Sequence, residues 1–270
     1  QVGVSLAGEI NQTASREGFL REFSVAESLT RGEIPRTRLR SFTSVAVVAT
    51  SASEVAAQLL RDQYFYPKEF FITASISVED SEINQVSADI LDEKYTEGLQ
   101  AIMVAEDRLW KRSADLTVGV ANPAQLIPGS LTPTILTQIR DAVTDWSIPA
   151  RNLLIANDIW SDIVGNQAFN DLLDPVNRYD LVLTGYLGTL LGMKVRTDGY
   201  RQQELKVLDR GEIYVIADPI NHANYTTRGD IEVTAIDGHQ FSKNTKGCFL
   251  SEPFSFILAN VRSVSKGVKL

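Results

Sequence analysis

The side chains able to do chemistry in this 270-residue chain are few and scattered. His222 and His239 are the two histidines, and neither has a second His or a Cys at the spacing that a metal ion needs. The single cysteine, Cys248, has no disulfide partner and no sequence pattern of a Cys-His nucleophile. All three read as isolated polar side chains, His222 in a turn and His239 beside Gly238. Gly185, Gly188 and Gly192 depart from the spacing of the dinucleotide fingerprint, with a helix rather than a strand expected before them, so they read as packing and turn glycines.

Carboxylates are abundant but already have work to do. Asp89, Asp92 and Glu93 sit at the start of a long helical pattern, where negative charge compensates the positive end of the helix dipole. That accounts for them ahead of acid-base catalysis. Asn157-Asp158 reads as a helix start, and Arg228-Gly229-Asp230 as a turn into the next strand. An α/β hydrolase or transferase using Asp158 or Asp162 in the segment 130–224 is the enzymatic alternative, and it lacks both a Gly-x-Ser-x-Gly elbow and a phosphate loop. The expectation is therefore no catalytic residue, no cofactor and no metal.

Composition bounds the partners. The hydrophobic fraction of 44% suits one large core or two modest ones, and no run of eighteen apolar residues is present to cross a membrane. One cysteine means the fold is held by packing and by partners rather than by disulfides, as in a reducing cytoplasm. A net charge of -8 argues against gripping duplex DNA, which requires clustered Lys and Arg against phosphates. The sequons at Asn11 and Asn224 are chance-level matches. The chain opens at Gln1, before which an initiator methionine is normally retained; cleavage of a longer precursor and a cloning boundary both account for that.

The elements follow from periodicity. Residues 1–30 mix small, polar and charged types with few apolar anchors, too little burial to order them alone, and read as an arm. Phe70, Ile72, Ala74, Ile76 and Val78 alternate with Phe71, Thr73, Ser75 and Ser77, the pattern of a half-buried strand. Between the strands of a long excursion, Ser53 to Leu60 suits a short helix or turn at its tip. From about Asp89 to Ala114, Ile90, Leu91, Tyr95, Ala101, Ile102, Ala105, Leu109 and Trp110 fall at helical spacing; Ser87 suits the N-cap, and Lys111 and Arg112 the C-terminal end. That spine is followed by Pro/Gly punctuation and an alternating lobe. The lobe comprises a helix from the Thr132 cap to Trp146, a buried strand over 152–156, short helices over 158–164 and 168–173, and strands over 193–197 and 212–217. Strands at 231–235 and 254–258 close the chain before Arg262, Lys266 and Lys269.

This order of elements, together with Gly32-Glu33-Ile34-Pro35-Arg36, Gly185-Tyr186-Leu187-Gly188 with Leu191-Gly192-Met193-Lys194-Val195, and Glu212-Ile213-Tyr214-Val215-Ile216, resembles the Hong Kong ninety-seven type fold of tailed-bacteriophage major capsid proteins over nearly the whole length. The resemblance implies an α+β fold with an N-terminal arm at 1–30, an E-loop at 31–80, a peripheral (P) domain at 81–129 and 225–270 holding the spine, and an axial (A) domain at 130–224. It implies a non-enzymatic subunit that forms hexamers and pentamers of an icosahedral shell, assembled in the bacterial host cytoplasm and enclosing double-stranded DNA without sequence-specific contacts. Scaffolding, portal and decoration proteins are further implied partners, and an encapsulin-like cargo shell is the alternative on the same fold. Arm and E-loop would lie on neighbouring subunits rather than on their own core. Some members weld subunits through a Lys to Asn bond; Lys68 is the one lysine of the E-loop region, and no motif carries that chemistry over.

Within the excursion, Arg36, Arg38 and Arg40 recur at intervals of two, so on a strand they project from one face within about 14 Å. Two readings stand: an edge strand guarded by charge, or a surface that pairs with acid on a neighbouring subunit. The inter-subunit contacts expected from the resemblance are Arg36, Arg38, Arg40, Val55, Leu59, Leu60, Tyr64 and Tyr66.

Overall fold

The structure, a computed structural model, describes residues 18–30, 32–39, 63–79, 90–172, 188–199, 201–240 and 243–270. The described chain opens with a short helix, α1 (Phe19–Phe23), that runs directly into β1 (Ser24–Ser28). A small hairpin follows, β2 (Thr37–Leu39) and β3 (Gln63–Phe65), and then β4 (Phe70–Glu79). The spine is α2 (Ile90–Thr117), 28 residues long, which at 1.5 Å per residue spans about 42 Å. The lobe comprises β5 (Gln125–Ile127), α3 (Pro133–Thr144), β6 (Ala150–Ile155), α4 (Asn157–Gly165), α5 (Gln167–Leu172), β7 (Thr189–Leu190), β8 (Met193–Thr197) and β9 (Glu212–Ala217). The chain closes with α6 (Pro219–His222), β10 (Ala223–Thr227), β11 (Glu232–Gln240), β12 (Lys243–Leu258) and β13 (Val264–Lys269).

Two sheets organise these elements. In the first, the long strand β12 carries β10 and β11 along one edge and β4 along the other, with β1 added parallel to β10. In the second the order is β5-β13-β9-β6-β8-β7. All six residues of β9 are buried, as a strand covered on both faces requires. Its alternation divides the molecule's two cores. Ile213, Val215 and Ala217 join Leu136, Ile139, Ile159 and Phe169 of α3 to α5. Tyr214 and Ile216 point the other way, toward α1, α2 and the first sheet.

The second core sits around Trp110 of α2. Its ring lies 5.8 Å from that of Phe19, 5.5 Å from Phe23 and 5.5 Å from Tyr214, in edge-on geometries favoured by aromatic quadrupoles. Residues 18–28 are therefore not the unanchored arm expected from composition. Phe19, Leu20 and Phe23 are fully buried, each contributing about 1.5–3 kcal/mol, and β1 pairs with β10 from Ser24 to Ser28. Three large apolar side chains on one helical turn suffice where a residue-by-residue tally of polar content hid them.

The strand at 70–79 also has an intramolecular partner, contrary to the expectation of an orphan excursion: β4 pairs with β12 from Phe70–Phe254 to Glu79–Thr245. Its alternation is as read, with Ile72 and Val78 buried and Phe71, Thr73, Ser75 and Ser77 exposed. Gly98 lets α2 approach this sheet, since a Cβ there would sit 2.2 Å from Ile76 Cδ1 and 2.8 Å from Leu250 Cδ1.

Two smaller expectations change. The spine continues to Thr117, leaving Lys111 and Arg112 outside its last turn; Lys111 instead pairs with Asp209 and Glu212 at 2.6 and 2.8 Å. Leu191 and Gly192, both at positive φ, form the two-residue turn between β7 and β8, so a strand precedes Gly192 and the primed hairpin turn explains the glycine. Ser87, Asp89 and the expected tip element at Ser53 to Leu60 lie outside the described residues.

Candidate assembly surface

The hairpin β2–β3 pairs Thr37 with Phe65, Arg38 with Tyr64 and Leu39 with Gln63. Among the described residues these two strands form a sheet with no third member. Tyr64 and Phe65, successive on a strand, point to opposite faces, yet they are 47% and 50% exposed; Ile34 and Tyr66 beside them are 69% and 62% exposed. The base of the hairpin is packed, since Thr37 opposite Phe65 is buried, but the aromatics at 64–66 remain about half exposed or more. Exposed apolar side chains grouped in this way are a candidate interaction surface.

Of the eight expected contact residues, Arg36, Tyr64 and Tyr66 are exposed here. Arg38 lies mid-β2, opposite Tyr64. Arg36 immediately precedes the strand. Its guanidinium lies 5.8 Å from the centroid of the Tyr64 ring, a cation–π contact across the hairpin. Arg40, Val55, Leu59 and Leu60 are outside the described residues. Ile34, Phe65 and the exposed Phe71 were missed as surface residues; the run Tyr64-Phe65-Tyr66, aromatic at odd and even positions alike, was the available signal.

The groups with chemical potential elsewhere are committed to structure. His222 is fully buried, not a polar turn residue: its Nε2 accepts from Trp110 Nε1–H at 2.9 Å and its Nδ1 lies 2.8 Å from Ser263 Oγ. Burial pushes its pKa down to about 3, keeping the ring neutral. Asp158 Oδ1 accepts the Gly211 N–H at 3.0 Å. Asp162 Oδ2 accepts the Leu131 N–H and pairs with Lys269 Nζ at 2.7 Å. Among the described residues, no group of three or more His, Cys, Asp or Glu is placed to hold a metal ion, and no helix is long and apolar enough to cross a membrane. A groove of about 450 Å³ along α2 is lined by Arg108, Lys111, Arg112, Asp115, Leu116 and Val207.

A buried charge network fastens α1 to the body. Arg21 forks onto Glu106 of α2, at 2.9 and 2.6 Å, and onto both oxygens of Glu252 of β12, at 2.8 Å. Arg201 meets Asp107 at 2.5 Å, and Asp107 also accepts the Leu20 N–H at 2.9 Å. Burial raises Asp107 to about 7 against the pull of Arg201. Burial likewise raises Glu252 to about 7; Arg21 opposes this and the neighbouring Glu106 adds to it. Burial disfavours the Arg21 cation, but the two carboxylates outweigh that and hold it protonated.

The described residues thus form a two-core α+β body with a two-stranded hairpin that carries exposed aromatic side chains. No family model and no curated protein matches the chain. Solved structures do. A chain of Microbacterium phage Oxtober96 superposes with a TM-score of 0.65 at 11% identity, covering 94% of this chain and 91% of that one. The capsid structure of the Cyanophage P-SCSP1u matches at 0.62 and 9% identity, covering 94% and 88%. The virus-like particle from Pyrococcus furiosus matches at 0.59 and 12%, covering 98% and 99%. The chain has the α+β fold of phage capsid proteins, the Hong Kong ninety-seven type.

Proposed function

We propose that this chain is the major capsid subunit of a tailed bacteriophage, forming hexamers and pentamers of an icosahedral head that encloses double-stranded DNA. The observation that carries this is the β2–β3 hairpin: on a body with the capsid fold, Tyr64, Phe65 and Tyr66 stay about half exposed or more on a sheet with no third member among the described residues. Rings of heterologous contacts would bury them, each subunit covering the next. In this reading residues 1–30 hold the arm, its part from 18 to 28 packed on the body, 31–80 the E-loop, its last strand β4 paired with β12, 81–129 and 225–270 the peripheral domain, and 130–224 the axial domain. The subunit is not an enzyme; its partners are copies of itself, with scaffolding, portal and decoration proteins, and it is assembled in the host cytoplasm. The net charge of -8 suits a shell that surrounds DNA without gripping it.

A shell around a protein cargo is the second reading on the same fold; the end-to-end match with the virus-like particle from Pyrococcus furiosus supports a closed shell in either case. Electron microscopy of the purified protein tests the shared part, and the nucleic-acid content of particles from infected cells separates the two. A stable monomer under all assembly conditions refutes both. Replacing residues 50–66 by a short Gly-Ser turn removes β3 and its pairing with β2, but it is expected to leave subunit melting nearly unchanged, because neither strand contributes to the two cores and loop closure depends weakly on length. Shell formation should be lost, because the contact falls below the size of a stable interface.

A further inference from the structure

Thr30 and residues 32–33 on one side, and 66–69 on the other, are the limbs on which the hairpin leaves the body and returns to it, and one side chain holds both. Arg228, in the turn between β10 and β11, donates from Nη1 to the Thr30 carbonyl at 2.8 Å and from Nη2 to the Glu33 carbonyl at 2.8 Å. Its Nε and Nη2 also fork onto the Glu69 carboxylate at 3.0 and 3.2 Å. The turn that carries Arg228 is itself fixed to the first sheet: the Leu29 N–H donates to the Thr227 carbonyl at 3.0 Å, and the Arg228 N–H to the Pro253 carbonyl at 3.4 Å. On the outgoing limb, the Glu33 carboxylate accepts the Thr30 N–H at 2.8 Å.

We propose that Arg228 is a positioning residue for assembly: it sets the angle at which the hairpin leaves the body, and so the direction in which one subunit reaches the next. The proposal rests on the capsid reading. A hairpin with no third strand among the described residues has little rigidity of its own, so the contacts where it joins the body bear on its orientation. The planar guanidinium is suited to this, since its five donors lie in one plane with fixed directions and can hold two carbonyls and a carboxylate at once. A half-exposed ion pair adds little to folding stability. Its consequence is geometric, because a small error in direction accumulates from subunit to subunit around a ring that must close.

The test uses the full chain under conditions that keep it unassembled, with nitroxides on Tyr64→Cys and Glu97→Cys and the buried Cys248 replaced by alanine. Pulsed electron-electron resonance should give one narrow distance distribution with Arg228 present and a broad one for Arg228→Gln and Arg228→Lys, with melting temperatures unchanged. Glu69→Gln removes the charged fork while leaving Arg228 in place, and should broaden the distribution partially; it also serves if Arg228→Gln fails to fold. In assembly, Arg228→Gln should lose closed particles of uniform size in favour of open or irregular ones. A narrow, unshifted distribution in Arg228→Gln, or uniform particles at wild-type yield, overturns the proposal. If the unaltered chain never assembles, the capsid reading and the assembly role fall together, while the distances still decide whether Arg228 fixes the hairpin.

Discussion

Replacing Glu252 by glutamine should remove one limb of the subunit's pH dependence. Glu252 is buried among Arg21 of α1, Glu106 of α2 and Tyr225 of β10, and burial lifts its carboxyl from 4.5 to about 7. A carboxyl raised on folding holds its proton more tightly in the native state than in the unfolded chain. Its contribution is therefore fully present below 4.5 and is lost as the pH rises through about 7. At about 1.4 kcal/mol per pH unit, the loss across that window is about 3 kcal/mol. Glutamine keeps a neutral hydrogen-bond acceptor for Arg21 and cannot ionise. Asp107 and His222 titrate over overlapping ranges with opposite signs, but they are present in both proteins and cancel in the difference. Urea unfolding of the unassembled subunit is the assay. The wild-type free energy minus that of Glu252→Gln should fall by about 3 kcal/mol between about pH 5 and about pH 8. A difference that is level or rises over that range refutes the reasoning, and with it the view that Glu252 takes up a proton near neutrality.

Gly247→Ala should destabilise the subunit by about 3 kcal/mol or more in the same assay, because its Cβ would meet backbone, Ile76 O at 2.0 Å and Ser77 Cα at 2.8 Å, across the β4–β12 pair. Gly98→Ala should cost less than Gly247→Ala, since its Cβ would meet only the ends of the Ile76 and Leu250 side chains, at 2.2 and 2.8 Å, which can shift, and the helix gains from alanine. Replacing Arg36, Arg38 and Arg40 with glutamate should reduce particle yield by electron microscopy at low salt. The defect should shrink as the screening length falls from about 10 Å at 0.1 M to about 3 Å at 1 M salt, and a salt-independent defect would exclude charge pairing as its cause.

Periodic elements were legible from sequence because their side-chain spacing repeats a local geometry. Strands β8 and β9 match the expected spans 193–197 and 212–217. Thr132 caps α3, its Oγ1 accepting the Ile135 N–H, with Pro133 in the first turn. The alternation of β4 needed no tertiary knowledge either. The exposed aromatic triplet at 64–66 was legible in part: two tyrosines were singled out, while Phe65 was not.

What the sequence by itself determined is local: the period of the spine helix and of strands such as β4, β8 and β9, the Thr132 cap, and a charge that disfavours wrapping DNA. Only the tertiary structure decided what covers what. Phe19, Leu20 and Phe23 belong to the core because Trp110, some 87 to 91 positions later by the residue numbers, supplies a ring for them to pack on. β4 has a home because β12 lies beside it. Arg21 and Arg201 are buried because Glu106, Asp107 and Glu252 arrive from distant elements. Arg228 can hold both limbs of the hairpin because Thr30, Glu33 and Glu69 meet at one turn. Each of these is a pairing between residues far apart in the chain, and local periodicity carries no information about the partner on the other side.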